Sequence, residues 1–272
     1  MPHIVITGCG SGFGRLSALD LARRGHRVFA TLRDPDRSDL AGIAEREGLR
    51  LTAHRLDVTD PGSVARAMAE IGDRVDVLVN NAGYAQRGPL ETLSDAEIAA
   101  QFDTNVTGVL RMVRAVVPGM RRRGGGRIVN VSSSSGLFAA PYEGLYSASK
   151  HAVEALSQVL SFELAGAGIG VRLVEPGAFE TGFVANAPVA EAFAPGHPLW
   201  EEYHLFWERA AGLTGGERNE PTPVVEAIRR AALDDDAPFR QLVGDDARFI
   251  VESQRAAGLE DTAPLIREAL GL

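Results

Sequence analysis

The opening residues commit the chain to an α/β fold. His3-Ile4-Val5-Ile6-Thr7 is a short β-branched apolar run, and Gly8-Cys9-Gly10-Ser11-Gly12-Phe13-Gly14 follows it. Arg15-Leu16-Ser17-Ala18-Leu19-Asp20-Leu21-Ala22 then has the periodicity of an amphipathic helix. Strand, glycine-rich turn and helix in that order open a βαβ unit. Glycines let the backbone turn tightly and let a pyrophosphate reach the amide N–H groups of a helix N-terminus, where the dipole favours anions. A glycine motif alone is weak; the strand-turn-helix context gives it weight.

The rest of the chain repeats the alternation. Strand-like runs occur at 3–7, 27–32, 50–56, 75–79, 127–132, 170–175 and 240–243, with helical patterns between nearly all of them. This implies right-handed crossovers and a parallel sheet covered on both faces. The expectation is a single doubly wound, Rossmann-like α/β domain over 1–272, its seven parallel strands in the order 3-2-1-4-5-6-7. Ligands of such sheets bind beyond the carboxyl ends of the strands. A chain of 272 residues with 45% hydrophobic content can bury such a sheet.

Composition narrows the partners. A net charge of -8 argues against nucleic acid. The first residues are already strand, with no basic n-region or apolar h-region, and no apolar run approaches the ~20 residues that cross a bilayer. A soluble cytoplasmic protein without a membrane partner is expected. Cys9 is the one cysteine, so no intramolecular disulfide is available, and it reads as a small packed side chain in the glycine turn. Arg121-Arg122-Arg123 before Gly124-Gly125-Gly126 reads as a helix C-terminus and its stop. No metal site is expected.

The 28 basic residues comprise 27 arginines and one lysine, Lys150. An ammonium is a compact point charge on a slim stem, whereas guanidinium is a planar fork; the exception therefore marks a place where Arg would fail. Lys150 stands in Tyr146-Ser147-Ala148-Ser149-Lys150, and a helix from Leu145 to Ala165 puts Tyr146 and Lys150 on one face. A phenol titrates near ~10, and a neighbouring ammonium favours the phenolate. Reaching ~7 requires about 4 kcal/mol of differential stabilisation. Taken alone, the pair could equally be an ordinary Tyr and Lys on a helix surface.

The motifs together resemble the short-chain dehydrogenase/reductase family. Thr7-Gly8-x-x-x-Gly12-x-Gly14, Asn80-Asn81-Ala82-Gly83, Asn105, Ser133, Tyr146-x-x-x-Lys150 and Pro176-Gly177 occur in the family's order and spacing, over roughly residues 3 to 182. Ala30-Thr31-Leu32-Arg33-Asp34 and Val174-Glu175-Pro176-Gly177 resemble the branch of 17-beta-hydroxysteroid and retinol dehydrogenases. The resemblance implies a nicotinamide-dependent oxidoreductase interconverting a ketone and a secondary alcohol. The catalytic set is then Asn105, Ser133, Tyr146 and Lys150, with Ser133 selected from Ser132 to Ser135 because the family's serine lies thirteen residues before the tyrosine. Tyr146 donates a proton to the carbonyl oxygen that Ser133 holds. Lys150 binds the nicotinamide ribose and lowers the Tyr146 pKa, while Asn105 supports a water linking Lys150 to solvent or serves as a helix-kink residue. The cofactor set is Gly8, Ser11, Gly12, Phe13, Gly14, Arg33, Asp57, Val58, Asn81, Ala82, Gly83, Tyr146, Lys150, Pro176, Gly177 and Thr181.

An acidic residue at the end of the second strand suits the ribose hydroxyl of NAD, and a basic one the phosphate of NADP. By the resemblance, the family's acidic position falls on Leu32 and Arg33 follows, so NADP is favoured, with Arg33 and Ser11 on the phosphate. Asp34-Pro35-Asp36 reads as a turn. Asp57 reads as an adenine-side residue or a strand-end cap.

Substrate information lies in 183–223, read as a variable lid. Trp200, Tyr203, His204 and Trp207 share one helical face there, near Phe193 and Phe206. A largely apolar, cyclic substrate is expected, although packing against the sheet would account for the same face. Helices at 94–122 and 145–167 carry apolar stripes on two faces, and the resemblance implies that one lies on the sheet and the other pairs across a two-fold axis, so a homodimer or homotetramer is expected. An NADP-dependent epimerase or dehydratase, or a non-catalytic NADP sensor, could use the same fold.

Overall fold

The computed structural model describes residues 1–213 and 220–258, with Pro264, Arg267 and Glu268. Part of the expected lid, 214–219, lies outside the described residues.

The first unit is as the sequence predicts: β1 (His3–Ile6), the glycine turn, α1 (Gly12–Arg23) and β2 (Arg27–Leu32). The chain continues through α2 (Leu40–Glu47), β3 (Leu51–Arg55), α3 (Pro61–Ile71) and β4 (Val77–Asn80). Next come α4 (Asp95–Phe102), α5 (Gly108–Arg123), β5 (Gly126–Val131), α6 (Gly144–Ala165) and β6 (Ile169–Pro176). The last elements are α7 (Gly182–Ala185), α8 (Trp200–Leu213), α9 (Thr222–Leu233), β7 (Arg240–Val243) and α10 (Asp245–Ala257). Seven strands form one parallel sheet in the order 3-2-1-4-5-6-7.

Strand alternation builds two cores. Ile4 and Ile6 point to the face covered by α1, α2 and α9, where they meet Leu21, Leu40, Val224 and Ile228. Val5 points to the other face with Leu78, Ile128, Val171 and Leu173, packed by Val64, Val113, Met112 and Val153 of α3, α5 and α6. Each of these strands is apolar on both sides, as a sheet sandwiched between helices requires.

The helix expected over 94–122 is interrupted. Ser94 and Glu97 form a capping box that starts α4, but Asp103–Thr107 is a π-helical turn before α5 begins. The extra residue in that turn rotates Asn105 inward, where it is 1% exposed. Gly124, at φ 72, caps α5 after its three arginines. No described helix is long and apolar enough to cross a membrane.

Candidate active site

Tyr146 and Lys150 project from the first turns of α6 with one turn between them, both 6% exposed. The Lys150 ammonium lies 5.7 Å from the Tyr146 ring centroid and donates to the Val131 carbonyl, 2.9 Å away at the end of β5. Just beyond that strand, Ser133 Oγ lies 3.4 Å from the Pro176 carbonyl that ends β6, and it accepts from the Ser135 N–H at 3.1 Å. Its hydroxyl is close enough to Tyr146 to lower the phenol's pKa. Ser132 faces elsewhere and Ser134 begins a short 3-10 turn, so of the four serines Ser133 is the one turned to the tyrosine.

Asn105 is held by three bonds. Its Oδ1 accepts from Tyr84 N–H at 3.1 Å, and its Nδ2 donates to Tyr84 O at 2.9 Å and Ser149 Oγ at 3.0 Å. Gly83 keeps the space between Asn105 and Lys150 open, for a Cβ there would lie 3.1 Å from Asn105 Oδ1 and 3.8 Å from Lys150 Nζ.

The electrostatics differ from the sequence expectation. Burial raises the Tyr146 phenol well above the usual tyrosine range; Ser133 opposes this, Glu143 adds to it, and Arg87 counters Glu143. Lys150 does not lower it here, because the ammonium is directed to Val131. Burial pushes Lys150 itself down to about 8, against the pull of Glu154.

The glycine turn is braced from β4. Thr7 Oγ1 accepts from Asn81 N and Ala82 N, each at 3.0 Å, and Asn81 Nδ2 donates to Thr7 O at 2.9 Å and Gly8 O at 3.3 Å. A Cβ on Gly14 would stand 2.4 Å from Asn81 Nδ2 and 2.6 Å from Gly8 O, and one on Gly8 2.8 Å from Ala82 Cα. These two glycines are thus required by close packing inside the turn. Gly10 faces open space, Ser11 makes no side-chain cap, and the first turn of α1 has no acidic residue. Those amide N–H groups fit an anionic diphosphate.

Other predicted positions surround this turn. Phe13 packs edge-on against Phe179 at 5.9 Å, and Thr181 lies 3.6 Å from a Cβ built on Gly12. Gly177 N bonds Val243 O at 2.8 Å, fixing the Pro176-Gly177 turn to β7. Asp57 Oδ1 accepts from Thr59 N and Oγ1 at 2.9 and 2.7 Å, the strand-end cap of its plainer reading. Val58 is buried against Gly108, and its carbonyl accepts from Arg111 at 3.1 Å. Arg33 is exposed just beyond the end of β2, its side chain without a partner among the described residues. Asp34 instead pairs with Arg37 and Arg55 at 3.2 and 3.4 Å.

A part-buried ion pair that sequence reasoning missed stands beside Tyr146. Arg87 Nη2 meets Glu143 Oε1 at 2.9 Å, and its guanidinium lies 3.8 Å from the Trp207 ring. No local pattern signals two residues so far apart in sequence. Arg87 N and O also bond Pro188 O and Ala190 N, each at 2.8 Å, which ties the loop after β4 to the segment after α7.

The segment expected as a lid builds a small core of its own. Phe193 and Tyr203 are buried, with Tyr142, Trp200 and Trp207 packed on them. His204 is exposed and turns onto Trp200, with ring centroids 4.6 Å apart, so it is not part of an inward apolar face. Phe183 of α7 lies 5.7 Å from the Tyr146 ring. Truncating Trp207 to Ala should cost ~3 to 5 kcal/mol of unfolding free energy, since the indole also covers the Arg87 guanidinium. Denaturant unfolding checks this; a loss under about 1 kcal/mol, with substrate affinity weakened, would restore the lid reading for Trp207.

A profile of the family described as short chain dehydrogenase matches residues 2–192. The chain belongs to that family. This dehydrogenase is 38% identical over 247 residues to the 3-ketodihydrosphingosine reductase of Bacteroides thetaiotaomicron, covering 89% of this chain and 87% of the relative. It is 38% identical over 248 residues to human retinol dehydrogenase 8, covering 88% and 80% of the two chains. A Burkholderia phymatum short chain dehydrogenase/reductase in complex with NAD superposes with a TM-score of 0.79 at 30% identity, covering 94% and 93%. A Burkholderia cenocepacia gluconate 5-dehydrogenase in complex with NADP and tartrate gives 0.75 at 27%, covering 91% and 95%. The dehydrogenase is accordingly an oxidoreductase of the CH–OH/C=O type that uses a nicotinamide cofactor.

Proposed function

We propose that the protein reduces a ketone, or oxidises the matching secondary alcohol, on a largely apolar, cyclic substrate with NADP as cofactor. The observation that carries this is the convergence of Ser133, Tyr146 and Lys150 beyond the carboxyl ends of β5 and β6, alongside the uncapped N-terminus of α1. The bound nicotinamide supplies or accepts the hydride. Ser133 and Tyr146, close enough to affect each other's electrostatics, would address one carbonyl oxygen, and Tyr146 would pass its proton to that oxygen as negative charge develops. Burial keeps the phenol protonated at neutral pH, so the proton is in place before the carbonyl oxygen arrives. Lys150, which here donates to Val131 O, would hold the nicotinamide ribose of a bound cofactor, and Asn105 holds the loop at Tyr84 that flanks it. Phe183 covers Tyr146 and keeps water from the reacting atoms. NADPH oxidation across steroid, terpenoid, polyketide and simple aromatic ketones tests the reading; turnover without net NADPH consumption would overturn it in favour of an epimerase or dehydratase.

The NADP preference rests on Arg33, whose side chain has no partner among the described residues, and on the pairing of Asp34 with Arg37 and Arg55, which draws that carboxylate away from a ribose hydroxyl. Arg33→Ala should raise the apparent constant for NADPH by one to two orders of magnitude, given roughly 1.5 to 3 kcal/mol for a charged hydrogen bond, and leave NADH nearly unchanged. Wild-type protein that binds NADH as tightly as NADPH would reverse the assignment.

A homodimer or homotetramer through α6 is supported by Val159 at 50% and Phe162 at 73% exposure, a large apolar outlay for a free helix face. Sedimentation equilibrium should give at least twice the 28.9 kDa chain mass, and Phe162→Glu should shift it towards the monomer. A wild-type monomer would refute the assembly.

A further inference from the structure

Beneath the proposed catalytic residues lies a second cluster of buried ionisable groups. Glu154 follows Lys150 by one turn of α6 and is 6% exposed; Glu175 is the penultimate residue of β6 and is 1% exposed. Both carboxyl groups converge on a single N–H: Arg240 Nε of β7 is 3.1 Å from Glu154 Oε2 and 3.3 Å from Glu175 Oε1. The two carboxyl groups thus flank one guanidinium nitrogen, which donates its hydrogen bond to Glu154. Ser132 continues the β5–β6 register beside Glu175, its N–H bonded to Val174 O at 2.7 Å. The gap at Gly136 joins it to the pair, since a Cβ there would stand 2.9 Å from Ser132 Oγ and 3.0 Å from Glu154 Cγ.

Among the described residues, Ser132 Oγ, Glu154 Oε1 and Glu175 Oε1 are buried without a hydrogen-bond partner. Two buried carboxylates around one guanidinium nitrogen are one negative charge in excess, since one guanidinium neutralises only one of them. A proton on one carboxyl removes that excess and supplies a donor for an orphaned oxygen. The charged groups that act on Glu175 are Glu154 from α6, Arg240 from β7 and Arg255 from α10; Lys150 stands a turn before Glu154. α9 packs with Val174, on the opposite face of β6. Burial, then the charge of Glu154, push the Glu175 carboxyl up to about 8.

We propose that Glu154 and Glu175 share one proton under Arg240, and that this acid pair is a positioning device that locks the Lys150 turn of α6 to the Pro176-Gly177 end of β6. When the proton leaves, two adjoining carboxylates repel in a dry site, and the helix turn and strand end separate. The positioning role rests on the proposed part of Lys150 in cofactor binding; the shared proton does not. Glutamine at either position supplies a permanent N–H donor to the remaining carboxylate and so mimics the protonated pair.

The sign follows from linkage. The folded carboxyl titrates near 8 and the unfolded one near 4.5, so the folded state holds a proton that the unfolded state has lost. This contribution to stability is complete below about pH 4.5 and is lost as the pH rises to about 8.

The test compares wild type, Glu175→Gln and Glu154→Gln, the second Gln variant serving if the first does not fold. Infrared spectra of the wild type at about pH 6 should show the absorption of a buried protonated carboxyl that vanishes as the pH passes about 8 and is absent from both variants. The melting temperature of the wild type should fall from about pH 5 to 8 relative to either variant. The dissociation constant for NADPH, read by fluorescence at about pH 9, should be severalfold weaker in wild type than in Glu175→Gln, and equal in the two at about pH 6. No such infrared band, or a band that persists in both variants, overturns the shared proton. A band that behaves as expected with parallel NADPH profiles overturns the positioning role. If the infrared and melting results hold while Tyr146→Phe remains active, the catalytic reading fails and the proton pair stands.

Discussion

Tyr146→Phe should lower kcat by about 10²- to 10⁴-fold, the span of general acid catalysis, with NADPH binding and melting temperature almost unchanged. The substitution removes one oxygen. The ring still fills its buried site against Phe183, and Ser133 keeps its contacts with Pro176 O and Ser135 N–H. What is lost is the proton delivered to the developing alkoxide, an interaction that exists only in the transition state, so kcat and kcat/KM should fall together. Steady-state kinetics of the purified variant, with NADPH affinity measured separately, decides the matter. Retention of more than about a tenth of wild-type turnover would end the assignment of Tyr146 as the acid.

Lys150→Met should abolish NADPH-dependent turnover without destabilising the fold at neutral pH. Burial moves the ammonium from 10.5 to about 8. Between these values the unfolded chain holds a proton that the folded chain has shed, so wild-type stability rises with pH across that window. Below it the buried charge costs the fold roughly 3 kcal/mol at 1.36 kcal/mol per unit. Methionine removes that cost but leaves the Val131 carbonyl without its donor, a loss of about 1 to 3 kcal/mol. The two nearly cancel. Urea unfolding at about pH 7 and 10 should show the wild type gaining on the variant at the higher value; parallel behaviour would mean that the ammonium is not buried as charged. This window lies above the one assigned to Glu175, so the two titrations can be separated in one series.

The fold was readable because each strand carries its own evidence. Ile4, Val5 and Ile6 are apolar on alternate faces because both faces are covered, and the glycine turn admits no side chain at Gly8 or Gly14. The pairing of Tyr146 with Lys150 on one face of α6 was equally legible, since the two are joined by helical geometry alone. What escaped depended on contacts between distant segments. A helical pattern runs unbroken through 94–122, and only the inward bonds of Asn105 to Tyr84 and Ser149 explain the π turn. Glu154 on a helix reads as a solvated residue until α6 is docked on β6. Tyr142, at φ 61, gives no local sign of its strained backbone or of the 2.9 Å bond from its hydroxyl to Glu202 on α8. The expected lowering of the Tyr146 pKa failed for a similar reason: sequence spacing places Lys150 on the correct face but does not tell which oxygen its ammonium faces.

The solitary lysine makes the chain its own reporter. Amine-reactive reagents have only two targets in this sequence, the N-terminal amine and Lys150. Met1 is 75% exposed, whereas Lys150 is 6% exposed and engaged with Val131. The first acylation therefore marks the terminus, and a second can occur only when the cleft opens far enough to release the ammonium from its carbonyl. Mass spectrometry of intact protein during such labelling would thus count openings of the catalytic cleft directly, with no engineered probe, and a cofactor that occupies Lys150 would silence the second addition while leaving the first untouched.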